Sequence, residues 1–255
     1  MEYAVVTVPA APVHRKASHR KEMVNQLLFG EMVAVRRIKQ GRWVKIRSLH
    51  DQYEGWMTLG HLEAVTEKEA MRVSNHVTVD FLSKISLHNK SMQIPIGSSL
   101  PGWEEHTGNM GGMNYLYEGT SLKRDEQVPG AELLHQLSFP WLNSPYMWGG
   151  RTPLGVDCSG FVQINFKMMG IDLPRDAWQQ VQEGQRVKKL KEARAGDLAF
   201  FDDKDEIVHV GILLNPEQII HSSGKVRIDP IDKKGIVHSD TGKRTHRLEA
   251  IRRYW

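Results

Sequence analysis

The segment RDEQVPG, residues 124–130, divides the chain into two textures, and that division limits the folds open to it. Ahead of it come short β-rich runs broken by turns: VVTV, LLFGEMVAVRRI, RWVKIRS and EGWMTL, with QGRW supplying a tight turn. Residues 1–64 therefore read as a small barrel of about five short strands. TEKEAMR, from Thr66 to Arg72, is a polar helical linker in pattern. A second strand-and-turn region over residues 73–124 follows, through VTVDFLSKISL, MQIPIGSSLPGW and GNMGGMNYLYEGTSL. It shares the rhythm of the first without a residue-level repeat, so residues 65–128 read as a second small barrel.

Behind the divide the periodicity becomes helical. Leu133, Leu134 and Leu137 of AELLHQLSFPWLN have helical spacing. Asp157 precedes a helical run from Cys158 to Met169 that Gly170 can end. Phe161, Ile164 and Met168 give that helix one apolar face for a core. Strand-like runs then come at 197–201 (DLAFF), 208–214 (VHVGILL) and 217–223 (EQIIHSS). Helix first and antiparallel strands afterwards is an α+β arrangement, expected over residues 129–255.

A single cysteine among 255 residues cannot form an internal disulfide, so the fold does not depend on oxidation. No apolar run approaches the length of a bilayer crossing. The start, MEYAVVTVPAAPVHRK, lacks the charge-then-apolar order of a signal peptide. The expected location is the cytoplasm, with an exported mature form as the alternative. The net charge is +4, and Arg36–Arg37, Arg186 with Lys188, Lys189 and Lys191, Lys233–Lys234 and Arg252–Arg253 are spread along the chain, where nucleic-acid binding would want them on one face with interleaved aromatics. They read as solvated surface, which argues against nucleic acid or membrane as partners.

The lone cysteine is where the chemistry gathers. Cys158 stands at the start of the expected helix, behind the glycine-rich approach WGG and LGVD. Helix N-termini carry unpaired N–H groups and partial positive charge, which favour thiolate and can stabilise an oxyanion. Such a nucleophile needs an imidazole nearby to hold the ion pair and protonate the leaving amine. His209 lies within VHVGILL, on the opposite face from Val208 and Val210 by alternation, and His221 follows twelve residues later in IIHSSG. Adjacent antiparallel strands would bring the two side by side, one as base and one as orienter. A histidine taken singly in a strand is more often an ordinary core or surface residue.

Six motifs in register, PYMWGG, GVDCSGFV, LPRD, AGDLAFF, HVGILL and IIHSSG, make the segment from Pro145 to His221 resemble the NlpC/P60 cysteine peptidases. Those are papain-like enzymes of bacterial cell-wall peptides. The resemblance implies Cys158 as nucleophile, His209 as general base and His221 as the polar third member that orients it. KEMVNQLLFGEMVAV with YEGWM resembles the first bacterial SH3 (SH3b) domain of the γ-D-glutamyl-L-diamino acid endopeptidase branch, the dipeptidyl-peptidase VI type. That resemblance implies Glu22 as partner of a substrate amino group and Tyr53 as pocket wall. It also implies Tyr146 and Asp157 as substrate contacts, Asp157 being a second candidate for the ammonium. Ser159 would hold the D-Glu carboxylate through its hydroxyl or amide. Glu22 has an ordinary surface glutamate as its plain alternative, and Tyr53 has barrel packing beside Trp56. The branch often reads LPRDS where this chain has LPRDA, so Ala177 replaces a hydroxyl that can bind substrate. Arg175 could serve a carboxylate bidentately, although a structural bridge suits Arg175 and Asp176 equally well.

No metal-binding motif occurs and no cofactor is implied. The expected organisation is thus two SH3-like barrels, 1–64 and 65–128, ahead of an NlpC/P60 peptidase domain at 129–255. The expected activity is cleavage of the γ-D-Glu to diamino acid bond, meso-diaminopimelate or L-Lys, in murein tri- and tetrapeptides with a free N-terminal L-Ala. A monomer acting in wall-peptide recycling is the accompanying expectation. The alternatives are an amidase or endopeptidase of intact peptidoglycan, and a non-catalytic SH3b protein that binds wall peptides.

Overall fold

The computed structural model describes residues 1–72, 74–88 and 90–255. They fall into two compact units, Met1–Gln127 with Trp148–Pro153, and Val128–Met147 with Leu154–Trp255. In the first unit, seven antiparallel strands lie in the order β3-β2-β6-β5-β4-β1-β7. They are β1 (Tyr3–Val6), β2 (Ala10–His14), β3 (Met23–Leu28), β4 (Met32–Lys39), β5 (Trp43–Ser48), β6 (Glu54–Thr58) and β7 (Leu62–Val65). Every strand sends a side chain into one core: Ala4, Val13, Leu27, Val33, Ile46, Met57 and Leu62. A sheet whose members all meet in one core is wrapped upon itself. LLFGEMVAVRRI proves to be two strands split at Gly30. The short β2 and β7 add to the count expected from sequence, because Pro12 and the exposed Glu63–Ala64 pair inside β7 blur their alternation.

Helix α1 (Glu67–Met71) carries a full capping box between Thr66 and Glu69. Beyond it come β8 (His76–Thr78), β9 (Leu82–Leu87), β10 (Lys90–Pro95), β11 (Thr107–Met110), β12 (Met113–Glu118) and β13 (Ser121–Lys123). Where a second barrel was expected, these strands form a four-stranded sheet, β10-β9-β12-β11, and a two-stranded pair, β13-β8. Their core is not their own. Val5 and Phe29 of the preceding barrel are buried with Ile85, Ile94, Tyr115 and Tyr117. Gly30 sits at that junction with φ +77°, and a Cβ there would lie 2.1 Å from the Ser99 carbonyl oxygen. A shared core explains why both β regions belong to one unit.

Strand β14 (Arg151–Thr152) belongs to this same unit, inside the segment that sequence assigned to the third domain. The cause is a buried ion pair. Arg151 donates through both terminal nitrogens to Glu31, at 2.8 and 3.0 Å, and through Nη1 to the Gln26 carbonyl oxygen.

The second unit contains α2 (Ala131–Ser138), β15 (Gly155–Val156), α3 (Cys158–Met168), α4 (Ala177–Gln180) and β16 (Gln185–Arg186). It continues with β17 (Leu198–Asp203), β18 (Glu206–Asn215), β19 (Gln218–Ser223), β20 (Lys225–Asp232), β21 (Gly235–Val237) and β22 (Arg244–Arg253). The sheet runs β16-β22-β17-β18-β19-β20-β21, and β22 also pairs with β21. That last pairing closes six antiparallel strands into a barrel, so β structure outweighs the α component expected from sequence. Helix α3 packs on β18, β19 and α2. It is buried along all eleven residues, not on the single apolar face that its spacing suggested. The side-chain NH₂ groups of its buried amides are used locally: Asn165 donates to the Phe161 carbonyl and Gln163 to that of Leu173. Gly170, at φ +83°, ends the helix region as expected.

Candidate active site

Cys158 is the first residue of α3, and Asp157 is its N-cap. The Asp157 carboxylate accepts the Gly160 N–H at 2.7 Å and both terminal nitrogens of Arg175, at 3.0 and 2.6 Å. Arg175 also donates to the Ser159 hydroxyl at 2.8 Å, and Ser159 donates to Asp157 at 3.3 Å. Arg175 is therefore the structural bridge, clamping the two residues that flank the thiol. Tyr146 lies close enough for Cys158 and Asp157 to act on its hydroxyl electrostatically, and burial pushes that phenol well above its ordinary value. It stays a hydrogen-bond donor. Ala177 is buried at the start of α4.

The histidines meet as the strand order requires. His209 Nε2 is 2.8 Å from His221 Nδ1. Gly211 makes this approach feasible, because a Cβ there would meet the His221 Cβ at 2.8 Å. Strict alternation fails nearby: a bulge at Phe201/Asp202 leaves Val208 49% exposed while His209 and Val210 are both buried. Sequence reasoning missed the next partner. His221 Nε2 lies 3.0 Å from Asp229 Oδ2, a carboxylate also held by the Ser239 N–H at 2.9 Å and by Arg227. The register His221↔Arg227 puts Arg227 and Asp229 on the face of His221. Alternation in KVRIDPID could have signalled this strand, but not its partner.

These contacts dictate the proton order. A carboxylate only accepts, so His221 donates from Nε2 and accepts at Nδ1. His209 must then donate from Nε2, which leaves a lone pair on Nδ1. Burial pushes the Cys158 thiol up to about 12, and the Asp157 charge adds to this; N–H groups of Val210 and Ser159, with Arg175, pull the other way. Burial first, then His221, holds His209 well below the usual imidazole range. Burial thus works against the helix terminus and favours the neutral forms of the thiol and the imidazole.

Glu22 and Tyr53 belong to the first unit. Glu22 forms a surface ion pair with Arg15 at 2.9 Å, and Tyr53 packs half-buried against the barrel core. Among the described residues no three His, Cys, Asp or Glu side chains are grouped so as to hold a metal ion.

The buried thiol at a helix start takes the backbone N–H of Val210, the neighbour of His209, and His209 leads through His221 to a carboxylate, an arrangement suited to thiol hydrolysis. Residues 143–245 match the NlpC/P60 family, and residues 13–62 match the bacterial dipeptidyl-peptidase Sh3 domain. The chain is 31% identical over 216 residues to the γ-D-glutamyl-L-lysine dipeptidyl-peptidase of Bacillus subtilis (strain 168), covering 77% of this chain and 71% of that one. It is 24% identical to dipeptidyl-peptidase 6 of Lysinibacillus sphaericus, over 91% and 92% of the two chains. An NlpC/P60 family protein from Bacillus cereus ATCC 10987 shares its fold, with a TM-score of 0.81, 22% identity and 99% of each chain covered. The chain belongs to the NlpC/P60 family of cysteine peptidases, in a form that carries a bacterial SH3 domain.

Proposed function

We propose that this enzyme hydrolyses the amide between γ-D-Glu and the diamino acid of short murein peptides, releasing L-Ala-γ-D-Glu. The observation that carries the reading is the unbroken hydrogen-bond chain behind His209, through His221 to Asp229. Similarity to γ-D-glutamyl-L-lysine dipeptidyl-peptidases supplies the bond.

In this mechanism His209 Nδ1 takes the Cys158 proton as Sγ attacks the γ-carbonyl carbon of D-Glu. Negative charge develops on the carbonyl oxygen at the start of α3, where helix N–H groups favour it. The Tyr146 hydroxyl is a further donor beside the thiol. The C–N bond breaks as Nδ1–H protonates the departing amine, leaving a thioester on Cys158. His209 then deprotonates water, which attacks the thioester and releases the dipeptide carboxylate. The proton returns to the thiol. Asp229 stabilises each imidazolium stage through His221 without itself being protonated.

Glu22 is the proposed partner of the free N-terminal ammonium, exchanging its surface contact with Arg15 for the substrate. Asp157, the other candidate, is held bidentately by Arg175. Tyr53 would wall that pocket, and Ser159, backed by Arg175, would face the D-Glu carboxylate. A free-amine requirement selects released peptides over stems still bound to glycan, which fits wall-peptide recycling. Digesting L-Ala-γ-D-Glu-meso-diaminopimelate, its L-Lys counterpart and the N-acetylated forms tests all of this by mass spectrometry. The dipeptide should appear from free peptides only, and Cys158→Ala should yield none. Equal turnover of the acetylated peptide would sink the amine pocket, and release of products from intact wall alone would favour an endopeptidase of the polymer.

A further inference from the structure

A third histidine lies against the catalytic pair. His246 comes from β22, far along the chain and outside every motif, and it stacks on His209 with ring centroids 4.2 Å apart and planes 25° apart. We propose that His246 is a positioning residue, whose ring holds the His209 imidazole in the plane set by His221 and screens its open face from water. The proposal rests on His209 being the base of Cys158.

The geometric need is specific. An imidazole anchored at Cβ and at Nε2 can still tilt about the line joining them, which swings Nδ1 off the thiol. A ring lying flat on it removes that freedom. The remaining neighbours leave this task to His246: His221 meets His209 edge-on at 81°, and Phe201 lies tilted at 5.7 Å. His246 is itself anchored, through the Ile236↔His246 register, the Thr245 hydroxyl 2.8 Å from Nδ1, and Phe201 at 5.9 Å. Bulges on either side of Phe201 interrupt the pairings of β17 with β18 and with β22, where bulges characteristically re-aim side chains.

His246 also separates His209 from an open cavity of about 610 Å³ that it lines with Lys233, Lys234, Arg244 and Arg247. Its charged and titratable surroundings are these four cations, His209 and His221, with the Asp229 carboxylate beyond. Burial, then His221, lowers His246 to about 4, against the pull of Asp229, so it stays neutral wherever His209 can act. A neutral aromatic ring can stack there without competing for the proton.

The only cysteine makes a clean reporter, because alkylation by iodoacetamide reads the Cys158–His209 pair without any peptide substrate. Alkylation rate and kcat/KM are measured against pH for the parent, His246→Ala, His246→Phe and His209→Ala, with melting curves as a folding control. His246→Ala should lower kcat about tenfold to a hundredfold with KM little changed, the scale of a misaligned base. Its acid limb should move to higher pH, because water readmitted to His209 raises that imidazole towards its ordinary value. His246→Phe should rescue most of both effects. A parental pH profile in His246→Ala overturns the proposal, and so does His246→Phe failing as badly as alanine. If alkylation ignores His209→Ala, the reading of His209 as base fails, and the positioning role falls with it.

Discussion

Asp229→Asn is the sharpest probe of the proton order, because it changes one oxygen for an NH₂ without changing shape. The Asp229 carboxylate now receives His221 Nε2 on Oδ2, and the Ser239 N–H and Arg227 Nη2 on Oδ1. An asparagine must turn its NH₂ towards one of these sides. Facing His221, it forces Nε2 to accept, moves the His221 proton to Nδ1, and so places a proton on His209 Nδ1, where the base is needed. Facing Ser239 and Arg227, it sets donor against donor, at about 1–3 kcal/mol for each unsatisfied group. The other orientation sets only Arg227 Nε, 2.9 Å from Oδ2, against the NH₂, so the working tautomer is disfavoured by about one such group, roughly 1–3 kcal/mol, and each ~1.4 kcal/mol is tenfold in rate. Loss of the negative charge behind the imidazolium adds to this. We expect kcat to fall about 10²- to 10³-fold, with KM within about threefold since Asp229 lies behind His221 and not at the thiol. Single-turnover thioester formation on a murein tripeptide is the assay. The residual rate should climb with pH as thiolate forms without help from His209. A folded Asp229→Asn enzyme with kcat within about threefold of the parent would refute the proton order, and Asp229→Ala serves as the second variant.

Arg175→Met should cost roughly 3–5 kcal/mol in denaturant titration by leaving Asp157 buried without its cation. Arg175→Lys should fold but lose at least about tenfold in kcat, because one ammonium cannot hold Asp157 bidentately. Glu31→Ala should destabilise the first unit by a similar 3–5 kcal/mol by stranding buried Arg151, read as the transition of that unit in chemical denaturation. Burial lowers His209 and His221 below the ordinary 6.5. The unfolded chain therefore binds more protons below that pH, and stability should fall as pH drops from about 6.5 towards 5. The lowered carboxyl of Asp229 adds a further loss only below its ordinary 3.8. A melting temperature that is flat between pH 7.5 and 5 would contradict this.

Much of the site was legible because it is local. Asp157 and Cys158 at a helix start, and His209 and His221 on strands short enough to be neighbours, are encoded in runs of a few residues each. The β-rich rhythm of the first half was legible for the same reason. Other features depend on partners distant in sequence. RTHRLEAIRR carries more charge than apolar pattern and β21 is only three residues long, so the closure of the barrel through β21 and β22 left little trace. With that closure unseen, neither Asp229 nor His246 had any reason to be placed at the histidines. The second β region was read as a barrel because its rhythm matched the first, yet its core borrows Val5 and Phe29, which no periodicity reveals. The amino-acid sequence by itself pointed to this thiol through the cap at Asp157, and to His209 and His221 through the ordered motifs that hold them, because each of those signals lies within a few residues. Only the tertiary structure decided the protonation of those groups and what orients them, because desolvation and hydrogen bonding depend on everything that packs around them in space.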